Sequence, residues 1–168
     1  MSKPEFLLCT TPAGKSLELH EMDGQEGLST PFRFHLELHS DDRKVDSKKM
    51  VGKTASIDIV LTDGGKRHIH GVITSFTQTG YDPREGVYIA ELRPWLWLLG
   101  LHCDNRIFQK KSVPEILEEV FSDLGFEDFK KSLRATYAKR EYCVQYQESS
   151  LSFVTRFMEE EGIFYFFE

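Results

Sequence analysis

No run of this sequence approaches the roughly 18 consecutive apolar residues that a membrane-spanning helix needs, and the opening Met1-Ser-Lys-Pro-Glu5 lacks a signal peptide's apolar region. The chain is therefore expected to be made and folded in the cytoplasm, with no membrane span. Cysteine is scarce. Cys9, Cys103 and Cys143 are an odd number, widely spaced and without a Cys-x-x-Cys pair, so reduced and mostly buried thiols are expected in place of a disulfide framework. No Ser/Gly/Pro-rich or low-complexity tract is present, which argues against a disordered tail. Basic residues are in deficit as well: the net charge of −6 opposes a phosphate-binding surface, because nucleic-acid affinity rests on clustered Lys and Arg. The pairs Lys48-Lys49, Lys110-Lys111 and Lys130-Lys131 read as solvated turns.

What is present belongs to an ordinary globular protein. The 168 residues are 40% hydrophobic and 29% charged, enough for one domain or for a small barrel with an appended subdomain. The stretch Leu92–Leu124 is a seam at which alternating apolar/polar runs give way to helical spacing. Trp95 and Trp97 lie there in the apolar block Trp95–Leu99, where two such rings favour a packed junction over a loose linker.

Before the seam, Phe6–Thr10 and Ser16–Met22 read as strands joined in a hairpin by Thr11-Pro12-Ala13-Gly14. Pro31–His39 carries the clearest strand signal. Phe32, Phe34, Leu36 and Leu38 point one way, while Arg33, His35, Glu37 and His39 point to water or to a partner. Asp46 is placed to cap a short helical turn that Gly52 ends. Ala55–Thr62, the tight turn Asp63-Gly64-Gly65, Lys66–Gln78 and Val87–Arg93 continue the strand pattern, and Gly71 is expected to mark a bulge or a bend. Gly80–Gly86 reads as a turn. Residues 5–95 thus predict a small antiparallel β-barrel or sandwich in which sequence neighbours pair.

After the seam, Ser112-Val-Pro-Glu115 is a capping box, and Val113, Ile116, Leu117, Val120, Phe121 and Leu124 follow helical spacing up to the terminator Gly125. Tyr142–Gln147 reads as a strand. Ser149 or Ser150 caps a second helix with the stripe Leu151, Val154, Phe157 and Met158, stopped by Gly162. The closing Ile163–Phe167 reads as an aromatic strand whose open edge suggests that the native polypeptide continues. The fold class expected is α+β and mainly β: a barrel over 5–95, then an α/β subdomain with two helices over 96–168.

Chemistry-bearing patterns are weak. His68 and His70 project from one strand face, and His102-Cys103 could complete four ligands, so an enzyme would be metal-dependent through His68, His70 and Cys103; without a second recognisable ligand pair, surface histidines are the simpler reading. Glu159-Glu160-Glu161 diverge by about 100° per helical residue and cannot converge on one atom. Ser149-Ser150 lack a nucleophile-elbow motif, and no phosphate-binding glycine loop is present. No catalytic residue, metal or cofactor is assigned. The remaining candidates are polar groups beside apolar runs: Arg93, Asp104, Asn105, Arg106 and Gln109 at the seam, then Gln145, Gln147 and Glu148. They either order an interface between subunits or satisfy one another where two subdomains meet.

Several runs together resemble a known family: Leu28-Ser-Thr-Pro-Phe-Arg-Phe34, His70-Gly-Val-Ile-Thr74, Leu92-Arg-Pro-Trp-Leu-Trp-Leu-Leu99, Arg106-Ile-Phe-Gln109, and Tyr142–Ser149 through Phe157–Tyr165. They are similar to the N-terminal part of VgrG proteins, the tip spikes of type VI secretion systems, and through them to contractile-phage baseplate hubs and the late control D family. The resemblance implies a homotrimer in which each subunit supplies two related barrels, forming a ring matched to a hexameric Hcp-like tube. Residues 5–95 would be the first barrel, with the second barrel, needle and any effector domain absent. It further implies secreted effectors or adaptors as partners and a cytoplasmic protein that leaves the cell when the system fires. An effector- or adaptor-docking module, or the hub of a phage or bacteriocin tail, are the neighbouring possibilities.

Overall fold

Alternation carries the first half of the chain. In the computed structural model, which describes residues 7–81 and 85–168, six strands form one antiparallel sheet: β1 (Leu7–Thr10), β2 (Glu18–Gly27), β3 (Thr30–Ser40), β4 (Thr54–Val60), β5 (Lys66–Tyr81) and β6 (Gly86–Arg93). Their order is β1-β4-β5-β6-β3-β2, and the two edge strands approach one another, so the sheet curls into a half-barrel. The inward residues of β3, Phe32 to Leu38, are buried with Ile57, Ile69, Ile73, Tyr88, Ala90 and Leu92. Period-2 patterning placed Phe32, Phe34, Leu36 and Leu38 on the inward face correctly.

Pairing departs from expectation at the start. β1 does not form a hairpin with β2; it pairs with β4, from Leu7 opposite Ile59 to Thr10 opposite Ser56. The connection is no two-residue turn that would zip its flanking strands together. It buries Thr11 and Leu17 and makes a 3-10 turn at Gly14–Ser16, carrying the chain across to the other edge. β3 and β4 likewise do not pair. Between them Asp46 accepts a hydrogen bond from the Lys48 amide at 3.0 Å, capping the expected helical turn, and Gly52 takes a φ of 76°. Asp82–Arg84, within the predicted Gly80–Gly86 turn, lie outside the described residues.

Gly71 is a close-approach position, and the bulge expected there is displaced to Ile73–Ser75, where the β5–β6 register shifts. A Cβ at Gly71 would lie 2.6 Å from the Arg93 carbonyl oxygen and 2.9 Å from the Leu92 side chain. Gly71→Ala must push β5 off β6, and is expected to lower stability by about 1–3 kcal/mol. Urea unfolding checks it; an unchanged midpoint would show that the two strands separate freely.

Residues Trp95–Phe166 form a second unit, while Phe167–Glu168 cluster with the first. Its elements are α1 (Trp95–Leu98), β7 (Cys103–Phe108), α2 (Val113–Asp123), β8 (Cys143–Ser149) and α3 (Ser150–Glu160), with β7 and β8 paired antiparallel. The capping box is made: the Glu115 carboxylate accepts from the Ser112 amide at 2.7 Å and from its hydroxyl at 2.9 Å. Gly125, at φ 78°, ends α2, and Gly162, at φ 67°, stops the chain after α3. Ser149 caps α3 by accepting from the Ser152 amide at 3.1 Å.

Three expectations change here. β7 is a strand that the sequence hides, because only Phe108 of its residues is buried and no apolar alternation announces it. Ile163–Phe167 forms no ladder among the described residues; Phe164 and Phe166 are exposed, while Phe167 packs edge-on against Phe32 at 5.3 Å. Cys103 is exposed, whereas Cys143 is buried and Cys9 half-buried.

Candidate functional site

The outer face of the first unit has an organised charged cluster. Glu91 on β6 accepts from Arg93 Nε at 2.7 Å, from Thr74 Oγ1 at 2.9 Å and from Arg33 Nε at 2.6 Å, so β3, β5 and β6 are tied through one carboxylate. Burial alone would raise its pKa; the hydrogen bonds from Arg93, Thr74 and Arg33 outweigh that and hold it at about 2. Arg93, named from the sequence, therefore serves a brace that runs across three strands.

The other seam residues lie in the second unit. Asp104 accepts from the Asn105 amide at 2.8 Å, and Asn105 Oδ1 accepts from the Gln147 amide at 3.0 Å, which bridges β7 to β8 where Gln147 has a φ of 51°. Arg106 pairs with Asp123 and approaches Glu119 at 3.6 Å, its guanidinium 4.9 Å above the Phe108 ring. Gln109 is exposed. Glu148 receives Arg156 at 2.6 Å. Gln145 is wholly buried: its amide nitrogen donates to the Glu148 carbonyl at 3.1 Å and to Ser150 Oγ at 3.3 Å, and Ser150 Oγ lies 3.1 Å from His102 Nδ1. Gln145 thus belongs to an internal network at the start of α3.

Sequence reasoning missed Arg140. It donates to Glu160 at 2.9 Å and to Glu161 at 2.7 Å, and lies 4.6 Å over Phe157, pinning the irregular stretch before β8 to the end of α3. No periodicity marks it, since it sits outside every helix and strand. Two of the three adjacent glutamates thereby have a structural task.

The potential catalytic groups are engaged elsewhere. His68 Nδ1 lies 2.7 Å from Asp58 and His70 Nδ1 lies 2.8 Å from Ser56 Oγ, each a cross-strand partner on β4. His102 and Cys103 belong to the second unit. Burial pushes the Cys9 thiol up to about 11, which keeps it protonated and a poor nucleophile at neutral pH. None of the described helices is long and apolar enough to cross a membrane.

A curled antiparallel sheet braced on its outer face, followed by a small helical unit, matches a characterised architecture. The family "Phage tail baseplate hub (GPD)" matches residues 25–168. The chain belongs to the phage tail baseplate hub family. Among similar proteins, the type VI secretion system spike protein VgrG1b of Pseudomonas aeruginosa is 46% identical over 151 residues, covering 90% of this chain and 20% of that protein. VgrG1a of the same organism is 42% identical, again over 90% of this chain and over 24% of its own length. The actin cross-linking toxin VgrG1 of Vibrio cholerae is 32% identical across 91% of this chain and 15% of the toxin. In three dimensions the chain resembles the E. coli c3393 protein, a component of the type VI secretion system with structural similarity to the T4 tail proteins gp27 and gp5. The TM-score is 0.78 at 29% identity, over 90% of this chain and 45% of that one. The hub chain described here thus spans between a seventh and a quarter of these three curated relatives.

Proposed function

We propose that this chain is the first barrel and adjoining subdomain of a type VI secretion spike, a rigid hub piece that joins a hexameric tube to a puncturing needle. The 46% identity to a spike protein across nearly the whole chain carries this reading. In it, residues 5–95 form the first hub barrel and 96–168 an inserted subdomain on the way to a second. Three copies of the full protein make the ring, with the tube protein and secreted effectors or their adaptors as partners. The polypeptide resides in the cytoplasm before firing and leaves with the needle.

The role is mechanical, and no bond is made or broken by this chain. A sheet whose strands are cross-braced through Glu91 resists shear, which a part that transmits thrust must do. Assembly contacts are assigned to the seam groups Arg93, Asp104, Asn105, Arg106, Gln109 and Glu148. Gln145 supports them from within.

A chimera tests the assignment. This chain replaces the matching segment of Pseudomonas aeruginosa VgrG1b, and secretion of the tube protein is measured alongside the chimera's mass by light scattering. The expected result is a trimer that supports secretion. A folded chimera that stays monomeric and secretes nothing would overturn the reading.

A further inference from the structure

Three side chains that commonly bind metals stand together on the outward face of β2 and β3. The register of this pair shifts between Leu19 and Glu21, so His20 is the extra residue of a bulge. Bulges re-aim side chains, and this one brings the His20 imidazole beside Glu37 and His39, which project together as residues i and i+2 of β3. His39 Nε2 lies 2.9 Å from Glu37 Oε1, and His20 Nδ1 lies 3.8 Å from the same oxygen. The two imidazoles stack with centroids 4.4 Å apart and planes 15° from parallel. On its other side, His39 Nδ1 is 3.2 Å from Glu85 Oε1.

We propose that His20, Glu37 and His39 form a zinc site at the β2 bulge, with Glu85 as the outer carboxylate that orients His39. Zinc bonds of about 2.0–2.2 Å in a tetrahedron set ligand atoms about 3.4 Å apart. The observed separations of 2.9 and 3.8 Å fall on either side of that spacing, and all three ligand groups offer atoms within 4.8 Å of one another. With Nδ1–H donated to Glu85, the Nε2 lone pair of His39 is the one left for the ion, the carboxylate–histidine–metal arrangement that fixes a tautomer. Zinc then takes the place of the proton between Nε2 and Glu37, and that proton goes to solvent. Two imidazoles and one carboxylate suit zinc better than calcium or magnesium, which prefer six or more oxygens.

Exposure fits the same assignment. The His20 side chain is 67% exposed, so its ring can tilt by a few tenths of an ångström onto the ion without disturbing the core, whereas His39 at 18% is held in place. The fourth position opens to water or to a side chain from another molecule. β2 is an edge strand, and the ion fastens it to β3 where the bulge interrupts the ladder. Alternation after Leu19 already turns His20 outward; what it conceals is the register, because the bulge decides that His20 stands beside Glu37 and His39.

The test is titration of the 168-residue chain with zinc chloride against a chromophoric chelator, with the bound metal counted after dialysis. One zinc per chain is expected, and a raised thermal midpoint in its presence. His20→Ala and His39→Ala should each weaken binding at least about tenfold, and Glu85→Gln about 10–100-fold with all three ligands intact. His68→Ala/His70→Ala should leave it unchanged. Circular dichroism establishes that each variant is folded, and the exposed His20 makes its variant the decisive one. Less than stoichiometric zinc on the folded chain, or His20→Ala binding as tightly as the parent, would overturn the site; unchanged affinity in Glu85→Gln would remove the outer carboxylate from it.

Discussion

Phe153→Ala is expected to destabilise the second unit by about 3–5 kcal/mol. Phe153 is fully buried on α3, stacked on Phe108 of β7 at 5.5 Å and edge-on to Phe157 at 4.8 Å. It lays the helix on β7 of the two-stranded β7–β8 sheet, and a lone two-stranded sheet is marginal without such cover. Truncation removes the transfer term and leaves a cavity whose lining rings are large and cannot collapse into it. Both tryptophans, Trp95 and Trp97, belong to this unit, so their fluorescence reports it during urea unfolding. The fluorescence midpoint should fall sharply, with Phe153→Leu falling much less. Equal midpoints for Phe153→Ala and the parent would mean that α3 is held by other contacts.

Removing the Glu91 carboxylate should cost the first unit about 2–3 kcal/mol at neutral pH, the free energy of its lowered pKa discounted for partial screening. Its side chain is 13% exposed and faces Arg93 at 18%, so the pair is poorly screened, while Arg33 at 44% is partly screened by water and contributes less. The sign with pH follows from the depressed pKa. The ordinary value is 4.5 and the folded value about 2, so the folded state binds its proton less readily than the unfolded chain does. The stabilisation is complete above about pH 5, declines as the pH falls through 4.5, and is gone below about 2. The parent should therefore lose stability between pH 5 and 2 more steeply than Glu91→Gln, whose amide does not titrate. Parallel acid profiles for the two would show that the carboxylate is not engaged as described.

Much of the local structure was legible because its causes are local. Period-2 burial along Phe32–Leu38, the Asp46 cap, the Ser112–Glu115 box and the terminators Gly125 and Gly162 each depend on a few adjacent residues. The motif resemblance to spike proteins agrees with the relatives found, since runs such as Leu92–Leu99 are contiguous. Phe153 escaped notice because Leu151, which lies only half-buried, fitted the assumed stripe in its place. β7 escaped because a strand with one buried residue has no apolar period to detect.

By itself, then, the sequence determined which face of β3 turns inward, where α2 and α3 start and stop, and which family the chain belongs to. Only the tertiary structure decided that β1 joins β4 and not β2, that Gln145 is buried while Asn105 and Gln109 are exposed, and that His20 meets Glu37 and His39. Alternation states the face of a residue but not the partner of its strand. Strand partners follow from how the connections run and how the sheet curls, and a single bulged residue changes which side chains meet without leaving a mark in the pattern.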